Sequence, residues 1–249
     1  MPIIECVPNI SEGRDRAKID AIAAVVETVD GVRLLDVDPG KATNRTVITF
    51  VGEPEPVIEA AFRLVKKAQE LIDMSVQHGE HPRFGATDVC PLVPISGITL
   101  EELVPYAHKL GERIGKELGI PVYAYEAAAR EEKRRNLANN RAGEYEGLEK
   151  KLADPAWKPD FGPASWNASV KRSGVTAVGA RKILIAYNVN LNTTSIRRAN
   201  SIAFDLRESG RVKREGGSLT GKIITDANGD PVVEPGKLKS VKGIGWFIE

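Results

Sequence analysis

Within eleven residues, His78-Gly-Glu-His-Pro-Arg-Phe-Gly-Ala-Thr-Asp88, the chain gathers two of its three histidines, two acids and an arginine. Histidine titrates near neutral pH and can both take and return a proton. His81, flanked by Glu80 and Arg83, is therefore the first candidate for acid–base chemistry. Its other reading is a turn residue that caps or bridges the loop, its backbone restricted by Pro82. Gly79, Pro82 and Gly85 punctuate the stretch and make it a tight loop rather than a helix. The apolar run that follows, Val89-Cys-Pro-Leu-Val-Pro-Ile95, reads as a buried strand. A loop fixed by such a strand yet open to a ligand is a favourable place for chemistry. His78 reads as a solvated or supporting group, and His108, beside core positions of a helix, as structural.

Other residues could join His81. Asp36 and Asp38 stand at the end of a short strand, where a carboxylate can orient a histidine or receive an amine; turn capping is the competing reading. Arg45 and Arg83 could each hold a carboxylate through paired donors. Gly174-Val-Thr-Ala-Val-Gly-Ala-Arg181 fits neither a dinucleotide fingerprint nor a phosphate loop, and no Gly-x-Ser-x-Gly elbow appears. Phe161-Gly-Pro-Ala-Ser-Trp166 could offer a flat face to a ring, or anchor a linker. Three histidines and two cysteines give no metal-binding spacing, so no metal is expected.

The elements that must carry these groups follow from periodicity. Strands are expected over 3–8, 32–37, 46–51 and 121–125, with helices over 14–29, 56–73 and 99–118. Asp38–Arg45 is a polar turn between two strands. Thr99-Leu-Glu-Glu102 is a capping box. Residues 126–160 are rich in arginine and read as short helices, and 155–174 as an irregular connector. A boundary near 178 divides the chain into 1–178 and 179–249. The second part reads as a strand over 182–191, a helix over 194–209, a hairpin over 222–233 around Asn228-Gly229 and a last strand over 243–249. One helix leaves half of that small sheet uncovered, so further chain or another subunit should complete it. The fold class is α/β (α+β): mixed sheets with helices packed on them.

With 35 basic and 34 acidic residues the net charge is +1, which does not suggest a nucleic-acid binder. Cys6 and Cys90 sit in apolar runs and read as reduced core thiols. No basic leader followed by an apolar core is visible, and no apolar run approaches the roughly 18 residues of a membrane span. The expectation is a soluble cytoplasmic protein without membrane or nucleic-acid partners. An exposed sheet edge favours a homodimer.

Several stretches, in order along nearly the whole chain, resemble the formiminotransferase family. They are Glu5-Cys-Val-Pro-Asn-Ile-Ser-Glu-Gly13, Leu34-Leu-Asp-Val-Asp38, Thr43-Asn-Arg-Thr-Val47, Gly79-Glu-His-Pro-Arg-Phe-Gly-Ala-Thr-Asp-Val-Cys-Pro91, Arg141-Ala-Gly-Glu-Tyr-Glu146, Pro159-Asp-Phe-Gly-Pro163, Gly179-Ala-Arg-Lys182 and Gly243-Ile-Gly-Trp246. The resemblance implies transfer of the formimino group of N-formimidoyl-L-glutamate to N5 of tetrahydrofolate, in histidine breakdown. It implies two α/β subdomains with folate in a groove between them, the second ferredoxin-like and here incomplete. It assigns the catalytic histidine to His81 and puts folate contacts on Gly162, Pro163, Ala164, Ser165, Trp166, Asn167, Ser173 and Gly174; residue chemistry and loop position add Asp38 as a group that orients His81 or the attacking centre. The loop 164–173 is longer than the family form, and 211–233 look like an inserted hairpin. Two alternatives share the fold: a folate-binding protein without transfer, and formyl transfer from N-formyl-L-glutamate.

Overall fold

The computed structural model describes residues 1–185, 189–217, 221–239, 241 and 243. The chain divides into two compact units, Met1–Ile185 and Ala186–Glu249. The expected boundary at 178 falls inside a strand of the first unit, Thr176–Ala180.

The first unit is one mixed sheet. Its strands are β1 (Ile3–Cys6), β2 (Asn9–Ile10), β3 (Val32–Gly40), β4 (Arg45–Gly52), β5 (Thr87–Ser96), β6 (Val122–Glu126) and β7 (Thr176–Ala180). β3 and β4 form the expected hairpin, and β1 and β2 both lie between β4 and β5, all antiparallel. β5, β7 and β6 continue the sheet in parallel. Strand β7 escapes an apolar-run reading because it is built from small residues: a side chain at Gly179 would collide with the Tyr125 ring of β6.

One face of the sheet is closed by three helices, α1 (Arg16–Ala24), α2 (Pro54–Leu71) and α3 (Leu100–Arg113). Ile4, Cys6, Ile10, Ile48, Phe50, Cys90 and Leu92 form the buried layer beneath them. The alternating apolar and polar positions of α2 give it a one-sided apolar stripe, which is what drives its docking. Helix α1 ends earlier than the expected 29; a 3-10 turn, Val26–Thr28, completes the segment. The capping box forms as read, with Glu102 N donating to Thr99 Oγ1 at 3.2 Å and Thr99 N to Glu102 Oε2 at 2.8 Å. Cys6 and Cys90 are free, buried thiols with sulfurs 3.7 Å apart.

The other face is covered only in part. Short helices α4 (Glu132–Arg135), α5 (Leu137–Arg141), α6 (Leu148–Ala153) and α7 (Ala168–Ser173) follow β6. Leu148, Leu152 and Val170 pack there on Tyr123, Tyr125, Val89 and Ala177. Helix α7 is capped by Asn167, whose Oδ1 accepts from Val170 N at 3.0 Å, so half of the expected irregular loop 164–173 is helical. Toward β3 this face is open, and Asp36 and Asp38 are exposed on it.

The second unit contains α8 (Ile196–Leu206) and a two-stranded ladder, β8 (Arg211–Val212) with β9 (Val233–Glu234). The expected hairpin is present: Thr225 bridges Pro231, and Gly229 has φ 86° in the turn. No strand forms over the described residues of 182–191; residues 186–188 lie outside the description. The expected strand at 243–249 lies outside the described residues except for Gly243, which is not in a strand. No helix among the described residues is long and apolar enough to cross a membrane.

Candidate active site

The loop before β5 is held at both ends by the other motif stretches. At its start Asn44, in the left-handed region at φ 48°, donates from Nδ2 to His78 O at 2.7 Å and accepts at Oδ1 from Gly13 N at 3.0 Å. Gln77 Nε2 donates to Asn44 O at 3.0 Å. At its end Ser11 Oγ donates to Gly85 O at 2.7 Å, and Ser11 N to Ala86 O at 2.9 Å. Ala86 N donates to Ser173 O at 2.8 Å and Val175 N to Phe84 O at 2.9 Å. Three segments distant in sequence, at 11–13, 44 and 173–175, thus converge on this loop, the arrangement that gives it one conformation.

Inside this frame His81 Nδ1 lies 2.7 Å from Pro82 O. A carbonyl oxygen only accepts, so the imidazole proton sits on Nδ1 and Nε2 is the basic nitrogen. Burial, and then the Arg45 guanidinium, push the imidazole pKa down to about 4; Arg141 adds to this and Asp88 opposes it. His81 is therefore neutral at physiological pH.

The acid beside His81 is Asp88. It is fully buried. Its Oδ2 accepts from Arg45 Nη1 at 2.5 Å and from Arg141 Nη2 at 2.6 Å, and its Oδ1 from Phe84 N at 2.9 Å. Burial alone would raise its pKa, but the two guanidiniums pull the carboxyl below the usual aspartate range. Arg45 Nε also donates to Asn9 Oδ1 at 3.0 Å. Two cations on one anion leave the trio with an excess positive charge next to a neutral base.

The arginines differ in what they still offer. Arg83 donates from Nε to Gln77 Oε1 at 2.9 Å and from Nη2 to Gln77 O at 3.1 Å. It pairs with both oxygens of Glu146 at 2.9 and 2.7 Å and reaches Glu144 at 3.4 Å. Its guanidinium, raised in pKa first by the Glu146 hydrogen bond, is satisfied within the protein and pins the loop to the 144–146 turn. A cavity of 470 Å³ opens beside it, lined by His78, Gly79, Arg83, Gly143, Glu144 and Glu146 but not by His81. Arg141 is the opposite case. Its hydrogen bond is the one to Asp88, and its buried Nε has no partner among the described residues.

Asp38 stands apart. The strand before it runs on to Gly40, so Asp38 lies within β3 opposite Val47 rather than in a turn. It forms no hydrogen bond or ion pair among the described residues. Register carries it across the open face all the same. Asp38 faces Val47, Val47 faces Asn9, and Asn9 faces Val89. Two strand spacings, about 10 Å, separate Asp38 from Asn9, while Arg45 lies on the neighbouring strand, opposite Gly40.

The segment 162–174 is divided. Gly162, at φ 80°, allows close approach to the Ile120 carbonyl, where a side chain would collide. Pro163 is half-buried, and Ala164 and Ser165 are exposed. Trp166 packs on Tyr145 with ring centroids 5.7 Å apart. Ser173 and Gly174 are buried and spend their backbone on Ala86 and Gly85. Those two residues fix the loop from behind. His108 is structural as read, with Nε2 2.7 Å from Ala128 O. Asp88 and Arg141 were both within quoted motifs but had no role in the sequence reading; a pairing 53 residues apart leaves no local signal. Among the described residues no cluster of three or more His, Cys, Asp or Glu side chains is placed to hold a metal.

Two family models and several known proteins match the chain. The family model of the formiminotransferase domain, N-terminal subdomain, matches residues 3–181, and that of the formiminotransferase domain matches 186–249. A formimidoyltransferase-cyclodeaminase of Dictyostelium discoideum is 49% identical over 247 residues, covering 99% of this chain and 42% of the relative. A glutamate formimidoyltransferase of Streptococcus pyogenes serotype M1 is 49% identical over 208 residues, covering 84% of this chain and 69% of the relative. One from Thermoplasma acidophilum is 46% identical over 209 residues, covering 83% and 68%. The chain spans about two fifths of the length of the bifunctional relatives it matches. From its first strand to its last described residues, the chain belongs to the formiminotransferase family.

Proposed function

We propose that the chain is a glutamate formimidoyltransferase, which moves the formimino group of N-formimidoyl-L-glutamate to N5 of tetrahydrofolate and releases L-glutamate. The observation that carries this is a neutral imidazole with its basic nitrogen fixed by the Pro82 carbonyl, beside an arginine pair with donors to spare. Relatives named glutamate formimidoyltransferase support the choice of reaction.

Tetrahydrofolate, when bound, supplies the attacking secondary amine. His81 accepts the proton released as the new carbon–nitrogen bond forms and returns one to the departing glutamate nitrogen. A positioned group of this kind contributes roughly 10²–10⁴-fold, and holding the two substrates in line contributes more. Both substrates carry carboxylates. Arg141 spends Nη2 on Asp88 and its side chain is still 16% exposed, so the carboxylate-holding role read for Arg45 and Arg83 passes to Arg45 and Arg141. Asp38 acts on the ligand across the open face. Gly162 to Asn167 border the folate, while Ser173 and Gly174 set the loop. The same reading makes the protein cytoplasmic and a homodimer.

The test is a spectrophotometric transfer assay with N-formimidoyl-L-glutamate or N-formyl-L-glutamate as donor, for the wild type and His81→Ala. Turnover with the formimino donor that falls more than about a hundredfold in the variant supports the reading. Folate binding without turnover in the wild type, or an active variant, overturns it. Preference for the formyl donor replaces the substrate and keeps the chemistry.

A further inference from the structure

We propose that Lys151 is a positioning residue for transfer: its ammonium gathers the carbonyls on either side of Arg141 and thereby sets that guanidinium on Asp88. The inference rests on the reading of Arg141 as a carboxylate-holding group of the site.

Lys151 lies on α6 and is 9% exposed. Its Nζ donates to Asn139 O at 3.0 Å, Asn140 O at 2.5 Å and Ala142 O at 3.2 Å. An ammonium has three donors, and all three are used on the turn that carries Arg141. These carbonyls lie at and just beyond the end of α5, where acceptors run short of helix partners; Asn139 O also accepts from Ala142 N at 3.3 Å. Asn136 Oδ1 caps the other end by accepting from Ala138 N at 3.0 Å. A helix of five residues has little stability of its own, so its orientation depends on such braces.

No carboxylate pairs with Lys151 among the described residues. Its surroundings are the Trp157 ring at 4.2 Å, the Tyr123 ring at 5.9 Å and the Arg134 guanidinium. Lys133 lies over Trp157 at 5.1 Å, and Asp160 is engaged by Arg134 at 2.8 Å. Burying an ammonium without a counter-charge costs stability. Burial first, and Arg134 second, push its pKa down to about 8. A residue kept for stability alone would be better replaced by an apolar one of the same length. The geometry gives the charge another task, which is to hold three carbonyls in one place.

The sign of the titration separates the two roles. A lysine with a lowered folded-state pKa costs stability below about pH 8, and the cost is relieved as pH rises from there toward the ordinary value of 10.5. A purely structural Lys151 would therefore make the protein no less stable over that interval. A positioning Lys151 would lose its grip on the turn over the same interval, and activity would fall.

The experiment compares wild type, Lys151→Met and Lys151→Arg as full chains, measuring kcat and KM for N-formimidoyl-L-glutamate from pH 6 to 10 with thermal melting in parallel. We expect an alkaline limb in wild-type kcat/KM near pH 8 without a matching drop in Tm. Lys151→Met should lower kcat/KM at pH 7 by about tenfold or more, chiefly through KM, and lose the limb. Lys151→Arg should recover much of the loss and move the limb upward. Unchanged kcat/KM in Lys151→Met, or activity that only tracks Tm, would overturn the proposal. Amide exchange over 139–142 is measured in the same proteins and needs no turnover. A wild type without transferase activity would sink the functional reading, while protection of those amides that is lost in Lys151→Met would still support the brace. Equal protection would sink the brace.

Discussion

Asp88→Asn is the change that most directly tests the charge arrangement beneath His81. The substitution keeps the shape and removes the charge. Its single amide oxygen must then replace two carboxylate oxygens that accept three hydrogen bonds, from Arg45, Arg141 and Phe84 N. The new NH₂ must face one of these donors. Arg45 and Arg141 are 8% and 16% exposed, so neither charge can turn fully to water. Removing one partner of a buried ion pair costs about 3–5 kcal/mol. For a unit the size of Met1–Ile185, each kcal/mol moves Tm by about 2–4 °C, so a fall of about 6–20 °C is expected. The assay is thermal unfolding followed by near-ultraviolet circular dichroism. Because the two arginines hold the Asp88 carboxyl below the usual range, its contribution is present above about pH 4 and is lost as pH falls through the lower folded value. The gap between wild type and variant should thus persist from pH 7 to about 4 and close only below that. A variant that melts within about 2 °C of wild type at pH 7 would refute the reasoning, because the pair would then be worth no more than a surface contact.

Three further outcomes are expected. In the pH profile of kcat/KM the acid limb should lie near pH 4, because burial and Arg45 depress the His81 imidazole; Arg141→Gln should move it upward by removing one repelling charge, and a wild-type limb at 6.5 would contradict the geometry. Gly174→Ala should cost at least about 2 kcal/mol, since φ 65° and ψ −147° suit only glycine and the new methyl would meet the Phe84 carbonyl; an unchanged melting curve would count against the pinning of the loop from behind. Arg83→Gln should lower Tm with little change in donor KM, whereas a KM effect without loss of stability would return the carboxylate-holding role to Arg83.

The legible and illegible parts of the site differ in range. His81 could be found because glycine and proline punctuate its loop and an apolar strand follows. The Thr99–Glu102 box could be found because its bonds join neighbours in sequence. Asp88 and Arg141 could not be paired from sequence, because the contact is made through β6 and the short helices that lie between them. Gly174 looked like part of a ligand loop, yet its freedom serves a close crossing with Gly85. Strand β7 is not among the expected strands because its residues are small, and the reason for their size lies on its neighbours β5 and β6. The expected boundary near 178 rests on a new unit opening with a strand over 182–191, which the described residues of that stretch do not form.

The position of Asp38 follows from the same distinction between local and long-range order. Local sequence put it in a turn next to candidate catalytic groups; register puts it on an edge strand, about 10 Å from Asn9. The loop before β5 in turn meets the β3–β4 hairpin, where Glu80 N donates to Ala42 O at 3.4 Å. Asp38 shares the open face with Asn9 and with the Arg45 side chain that Asn9 receives. A small molecule reaching from the positive trio toward β3 would lie along Val47, with cation at one end of its path and anion at the other. A donor with carboxylates at one end and a cationic amidine group at the other has that polarity. The open half of the face therefore suits an extended substrate, and Asp38 is placed on that face to meet it.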